Sequence, residues 1–375
     1  MKKIFPRIIS ACGLIGFMNA DRRRVPGDDI IKSITLMHER SNGLGGGFAA
    51  YGIYPEHRDE YAFHIMYLSH SAKDETERYM NEEFDISEDG PIPTRHVDAI
   101  KNIPILWRYF ARPKSLRMRD LGLTDEDDFV LQAVMKINFE TEDAYVVSSG
   151  KNMGAFKAVG FAGDVGKFFR LDEYEAHMWI AHARFPTNTP GWWGGAHPFT
   201  LLDCSVVHNG EISSYGINRR YLEMFGYKCT LQTDTEVMAY LIDLLVRRHK
   251  LSIATACLAM AAPFWKDIDD MADSERQKAK ALRMVYGSGL VNGPFAIVFG
   301  HSKGMVGFND RIKLRPMVAG RKDETLYVAS EEAAIREICP KPDKVWSPKA
   351  GEPIIGWLRP DPLDDPEHQR AIVAS

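Results

Sequence analysis

Short apolar runs of strand length recur in the first and last parts of this chain, while its strongest helical patterns lie between them. Strands that must find partners across a helical middle predict α+β layers, not the strict βαβ alternation of a doubly wound sheet. The early runs are Gly13–Phe17, Phe48–Tyr51, Tyr61–Tyr67, Tyr145–Ser148, His177–Ala181 and Cys204–Val207. The late ones are Phe295–Phe299, Gly304–Phe308 and Leu326–Ala329. Asp28 opens a predicted helix with Ile30, Ile34 and Met37 on one face, ending near Gly43, and a charged helix is predicted around Lys73–Phe84. The strongest pattern is Asp234–Arg248, where Val237, Leu241, Leu244 and Leu245 form an apolar stripe; another helix is predicted over Ser274–Val285. Residues 55–143, with proline punctuation and acidic stretches such as Thr124–Asp128, read as an elaboration inside one domain spanning 12–345. Residues 346–375, rich in proline and acid, read as a surface tail, and no second catalytic domain is expected there.

Composition narrows the class. Apolar residues make up 45% and charged residues 26%, which is globular rather than disordered or fibrous. Lys plus Arg number 47 against 51 Asp plus Glu, a net charge of −4 that leaves no electrostatic footprint for nucleic acid or anionic lipid. No apolar run reaches the roughly 18 residues a membrane helix needs. The expectation is a soluble, cytoplasmic protein with neither nucleic acid nor membrane as a partner. Cys12, Cys204, Cys229, Cys257 and Cys339 are odd in number, and no two lie within four residues of each other. That spacing gives neither a disulfide framework nor a CxxC metal or cluster motif, so reduced thiols, no metal and no cofactor are expected in this chain.

Four stretches carry residues with chemistry, and each has an ordinary explanation when taken alone. Cys12 follows Ile9-Ser10-Ala11 as in a bacterial lipoprotein box, but Pro6 and Arg7 interrupt the apolar stretch a signal peptide needs. A lone cysteine is more often a small buried hydrophobe than a nucleophile. Arg184, within His182-Ala183-Arg184-Phe185-Pro186-Thr187-Asn188-Thr189-Pro190-Gly191, suits a surface ion pair. Asn209-Gly210 is a hairpin-turn signal. Asp234 heads a helix where an acid stabilises the dipole, with Thr233 and Glu236 at capping-box spacing. His182, His197 and His208 stand close to these stretches without metal-ligand spacing, and structural hydrogen bonding is expected of them. Gly45-Gly46-Gly47 lacks a following P-loop lysine, which favours tight packing at a strand start.

Order and combination change the reading. Cys near the N-terminus, then His182–Gly191, then His208-Asn209-Gly210-Glu211-Ile212, then Thr233-Asp234-Thr235-Glu236 resembles the class II glutamine amidotransferases, a branch of the N-terminal-nucleophile hydrolases. The resemblance runs from Cys12 to about Ala329 and is closest to the amidotransferase part of glutamate synthase, most specifically at Arg184–Thr189, Ala196-His197-Pro198-Phe199 and Val207–Ser213. The long spacing between Cys12 and Arg184 points the same way, and Arg311–Pro316 resembles a late strand-turn phrase of the family with a structural role.

The resemblance implies a four-layer αββα sandwich and a division of labour. Cys12 would be the nucleophile and its own α-amino group the base, since an unperturbed amine pKa of about 7.7–8.0 suits proton transfer near neutrality. That amine exists only once residues 1–11 are removed as a propeptide. Asn209 and Gly210 would donate to the oxyanion. Arg184 would grip the α-carboxylate of glutamine with its planar fork, and Asp234 would take the α-ammonium. Thr187 and Asn188 would join the substrate-binding stretch. Thr187–Pro198, with Gly191, Trp192, Trp193, Gly194 and Gly195, is either a lid over glutamine or a docking patch. L-glutamine is then the substrate, and an ammonia-accepting synthase subunit of glutamate synthase type the partner, any FMN or iron–sulfur cluster residing on that partner. Three rivals stand beside this reading: an amidohydrolase of the same fold acting on another amide, a non-catalytic regulatory or scaffolding subunit with Cys12 capped, and the lipoprotein.

Overall fold

The computed structural model describes residues 11–186 and 191–361. The chain enters through β1 (Gly13–Asn19), β2 (Val25–Pro26), α1 (Asp28–Leu36) and β3 (Gly46–Tyr51). An insertion follows: β4 (Tyr61–Tyr67), α2 (His70–Glu83), β5 (Phe84–Pro91), β6 (Ile105–Pro113), α3 (Ser115–Asp120), α4 (Glu126–Glu140) and β7 (Ala144–Ser148). The main fold resumes with β8 (Met153–Ala158), α5 (Ala162–Phe168), β9 (Glu175–Ala176), β10 (Met178–Ala183), β11 (Phe199–Leu201) and β12 (Cys204–Gly210). Helices come next: α6 (Tyr215–Glu223), α7 (Asp234–Ile242), α8 (Ile253–Met260), α9 (Trp265–Asp269) and α10 (Asp273–Val285). Then come β13 (Phe295–His301), β14 (Gly304–Asn309), β15 (Val318–Lys322), β16 (Thr325–Ala329), α11 (Glu332–Ile338), β17 (Lys344–Trp346) and β18 (Ile354–Trp357).

Two antiparallel sheets form the centre. The larger has the order β17-β15-β16-β1-β10-β3-β8, which puts β1 in the middle between strands from opposite ends of the sequence. The smaller is β11-β12-β13-β14-β18. Side chains of alternating parity close the space between them: Leu14, Met18, Ala49, Tyr51 and Ile180 from one sheet meet Val207, Ala296, Val298 and Met305 from the other. The opposite parity of the larger sheet (Ile15, Phe17, Phe48, Trp179) is covered by Ile30 and Ile34 of α1, Val165 and Phe168 of α5, and Ile335 of α11. Val206, Phe295, Ile297 and Phe308 on the far face of the smaller sheet are covered by Val237 and Leu241 of α7 and Cys257 and Met260 of α8. The result is the four-layer αββα sandwich. Each fully buried aliphatic or aromatic side chain in these layers contributes roughly 1.5–3 kcal/mol.

Several sequence expectations change here. The elaboration, in which the sequence predicts only the strand at Tyr61–Tyr67 and the helix around Lys73–Phe84, also holds β5 and β6, which join β4 and β7 in a four-stranded sheet of order β5-β6-β4-β7, and the 15-residue helix α4. Its acidic start is the helix's own N-terminus: the Asp125 carboxylate accepts the Asp127 N–H, and Glu126, Asp127 and Asp128 sit on the positive end of the dipole. Asn209-Gly210 is no hairpin turn; both residues close β12, opposite Ala296 and Phe295 of β13. The helix expected over Asp234–Arg248 divides into α-helix to Ile242 and a π-helical stretch over Asp243–Arg248. Part of the expected surface tail is sheet, because β18 forms the edge beyond β14 with Ile354 buried. Among the described residues no helix is long and apolar enough to cross a membrane, and all five cysteines are free.

Candidate active site

The larger sheet delivers the first two groups by register. Gly13 pairs with Ala183 in antiparallel register, so Cys12 just before the start of β1 and Arg184 just after the end of β10 emerge side by side. The last residues of β12 bring Asn209 and Gly210 to this edge, and the first turn of α7 brings Asp234. Cys12, Arg184, Phe185, His208, Gly210, Tyr215 and Asp234 line one cleft of about 220 Å³. Asn209, between His208 and Gly210 of this lining, is 1% exposed. The structure therefore gathers Cys12, Arg184, Asn209, Gly210 and Asp234. Thr187 and Asn188 lie outside the described residues.

The Cys12 sulfur accepts the Phe185 N–H at 3.2 Å, and Arg40 Nε donates to the Cys12 carbonyl at 3.1 Å. Burial pushes the thiol pKa upward, and the Phe185 N–H with the positive charges of Arg184, Arg315 and Arg40 only partly opposes it. At neutral pH this sulfur is a thiol, and attack requires a base at hand. Arg184 is 4% exposed; burial lowers its pKa, opposed by Cys12 and Asp234. Its Nη1 donates to the Leu44 carbonyl at 3.4 Å.

Two features suit an oxyanion. The Asn209 Nδ2 is buried with no hydrogen-bond partner among the described residues, a donor waiting for an acceptor. Gly210 has φ 151°, and a Cβ there would lie 1.9 Å from the Pro294 carbonyl oxygen, so only glycine lets the backbone reach the cleft.

Asp234 is held at both oxygens. Oδ2 accepts the Ile212 N–H at 3.0 Å and Oδ1 the Thr235 hydroxyl at 3.2 Å. Burial alone would raise this carboxyl; the neighbouring His208, the Ile212 N–H and the Thr235 hydroxyl outweigh it and hold the group below the usual carboxylate range. Half of the expected capping box forms, as Thr233 accepts the Glu236 N–H. The Glu236 carboxylate instead takes the Thr230 and Leu231 N–H groups at 2.9 and 3.0 Å, and these fix the turn before α7. Gln232 in that turn has φ 54° and faces the cleft.

Several contributors escaped the sequence reading. Arg40 is 28 residues from the carbonyl it holds, with no local signal. Asp310 explains the Arg311–Pro316 phrase: its carboxylate accepts the N–H groups of Phe295, Ile312 and Leu314 at 3.2, 3.1 and 3.0 Å, fixing the loop that carries Arg315. Lys157, wholly buried on β8, donates to the Gly194 and Pro198 carbonyls at 3.0 and 3.3 Å and so anchors the end of the glycine- and tryptophan-containing stretch. Trp193 is buried with its ring against Phe168, and Trp192 packs edge-on against Tyr145. Trp193 thus belongs to the core, while Trp192 is half-buried. Gly47 admits this stretch, since a Cβ there would fall 2.1 Å from the His197 carbonyl oxygen. The three histidines make hydrogen bonds: His182 Nε2 to the His208 carbonyl at 2.8 Å, and His197 Nε2 and His208 Nδ1 to the Thr235 hydroxyl.

Comparison with known proteins places the chain in a family. The family model for class II glutamine amidotransferases matches residues 97–345. An uncharacterized protein of Archaeoglobus fulgidus is 50% identical over 352 residues, 93% of either chain. An isomerizing glutamine–fructose-6-phosphate aminotransferase of Sulfurisphaera tokodaii is 32% identical over 127 residues, which are 32% of this chain and 21% of that one. The structure of glutamine phosphoribosylpyrophosphate amidotransferase from B. subtilis aligns over 92% of this chain and 47% of its own, at 15% identity and a TM-score of 0.45. The chain belongs to the class II glutamine amidotransferases.

Proposed function

We propose that this protein hydrolyses the side-chain amide of L-glutamine through a Cys12 thioester and hands the ammonia to a separate synthase. The observation that carries the reading is the single cleft lined by a half-buried thiol, a guanidinium and a carboxylate, with the Asn209 amide nitrogen, unpartnered among the described residues, next to Gly210 of its lining. In this reading the Cys12 amine, freed by cleavage after Ala11, takes the thiol proton, and sulfur attacks the amide carbon. Asn209 Nδ2 and the Gly210 N–H receive the oxyanion. The amine returns its proton to the departing ammonia, and water then releases glutamate from the thioester. Arg184 holds the α-carboxylate and Asp234 the α-ammonium. The test is glutamate release by the mature protein together with labelling by an electrophilic glutamine analogue. Cys12→Ala should abolish both, and residual turnover in that variant would refute the nucleophile.

For the acceptor we propose a subunit of glutamate synthase type, on the strength of the Arg184–Thr189 and Val207–Ser213 phrases. Affinity purification from the native cell should retrieve a flavin- or cluster-bearing synthase. Reproducible recovery of a different acceptor would replace it.

A further inference from the structure

The Thr235 hydroxyl has three polar neighbours and one proton. Asp234 Oδ1 lies 3.2 Å away, His197 Nε2 2.8 Å and His208 Nδ1 3.2 Å. An ionised carboxylate can only accept, so the hydroxyl proton goes to Asp234. Its oxygen then has only lone pairs to offer, and both imidazoles must donate to it. The arrangement fixes His197 as the Nε2–H form and gives His208 a proton on Nδ1. His208 Nδ1 also lies 3.6 Å from Asp234 Oδ1, and the other ring nitrogen of His208 is buried without a partner among the described residues, beside Gly210. The His197 ring, which also lines the cleft, stacks on His182 at 4.0 Å, and His182 donates to the His208 carbonyl. Thr235 is 0% exposed and sits on the rigid first turn of α7, so these partners meet at one fixed point.

We infer that Thr235 is a positioning residue for recognition of the substrate's α-ammonium group, acting by orienting the Asp234 carboxylate and setting the proton on His208. This rests on the reading of Asp234 as the ammonium acceptor. With Oδ2 fixed by the Ile212 N–H and Oδ1 by Thr235, the carboxylate plane cannot turn, and its remaining lone pairs face the cleft. Without the hydroxyl, Asp234 could rotate and two buried imidazole N–H groups would lose their acceptor.

L-glutamate and glutarate differ only in the ammonium, so their competitive inhibition constants isolate its recognition. Thr235→Val should reduce the preference for L-glutamate by about tenfold or more while glutarate inhibition stays within about threefold. Thr235→Ser should restore the preference. Equal weakening of both inhibitors in Thr235→Val would mean a merely structural role and overturn the proposal. Asp234→Asn is the control for the underlying reading: an unchanged preference there would remove Asp234 as the ammonium acceptor, whatever Thr235 does. If Thr235→Val fails to fold, histidine ¹⁵N shifts of the unmodified protein decide. His208 protonated at Nδ1 and His197 at Nε2 are expected, and His208 with a bare Nδ1 would sink the idea.

Discussion

Asn209 and Gly210 adjoin in sequence but should fail in opposite ways when changed. The Asn209 amide nitrogen is buried and has no partner among the described residues, so these give the resting fold no hydrogen bond to it. Asn209→Ala is therefore expected to keep its melting temperature and its KM for glutamine while kcat falls about 10²–10³-fold. A large rise in KM at constant kcat would contradict the oxyanion role. In Gly210→Ala the new methyl group meets the Pro294 carbonyl oxygen at 1.9 Å on a backbone with φ 151°. The pairing of β12 with β13 must give way there, at an expected cost of at least about 2 kcal/mol in thermal unfolding.

Among the elements, β8 acts on the cleft through Lys157. Burial pushes its ammonium from 10.5 to about 7, against the pull of Glu236 and aided by Arg184. Between those values the unfolded chain holds a proton that the folded chain has released, so stability rises with pH across the window. The linkage has an upper bound of about 5 kcal/mol. Chemical denaturation from about pH 7 to pH 9 should show that rise in the native protein and a flatter profile in Lys157→Met. An identical slope in both would place the Lys157 pKa elsewhere.

The elements that carry the cleft were legible in sequence because short apolar runs and cap signals coincide with them. The insertion was less so, for physical reasons. β5 is an edge strand whose residues are mostly exposed, so it lacks the apolar alternation that marks a half-buried strand. The acids that open α4 look like loop until their place at a helix N-terminus is known. Thr235 reads locally as one more polar residue in the first turn of α7. Its role depends on partners from two other segments, and no local period reports that.

For the whole molecule, the decisive quantity is the proton balance at Cys12. On the proposed mechanism, with the thiol pushed up by burial, attack would depend on an amine that exists only after the bond to Ala11 is cut. Intact mass should show a mature chain beginning at Cys12. In that form kcat/KM for glutamine should rise with pH to a plateau, through an apparent pKa within about one unit of 7.7–8.0. Full activity in a protein still carrying residue 11 would refute this.

The insertion is spliced between β3 and β8, which are themselves hydrogen-bonded neighbours, with Tyr51 opposite Met153. Its far end reaches the region just past Arg184: Thr200 Oγ1 donates to the Val147 carbonyl at 2.7 Å, the Leu202 N–H donates to Ser149 Oγ at 3.2 Å, and Tyr145 braces Trp192. The module thus braces Trp192 and β11 yet contributes none of the described residues that line the cleft. Mutational drift there can change how firmly Trp192 and β11 are held, while Cys12 stays where β1 puts it.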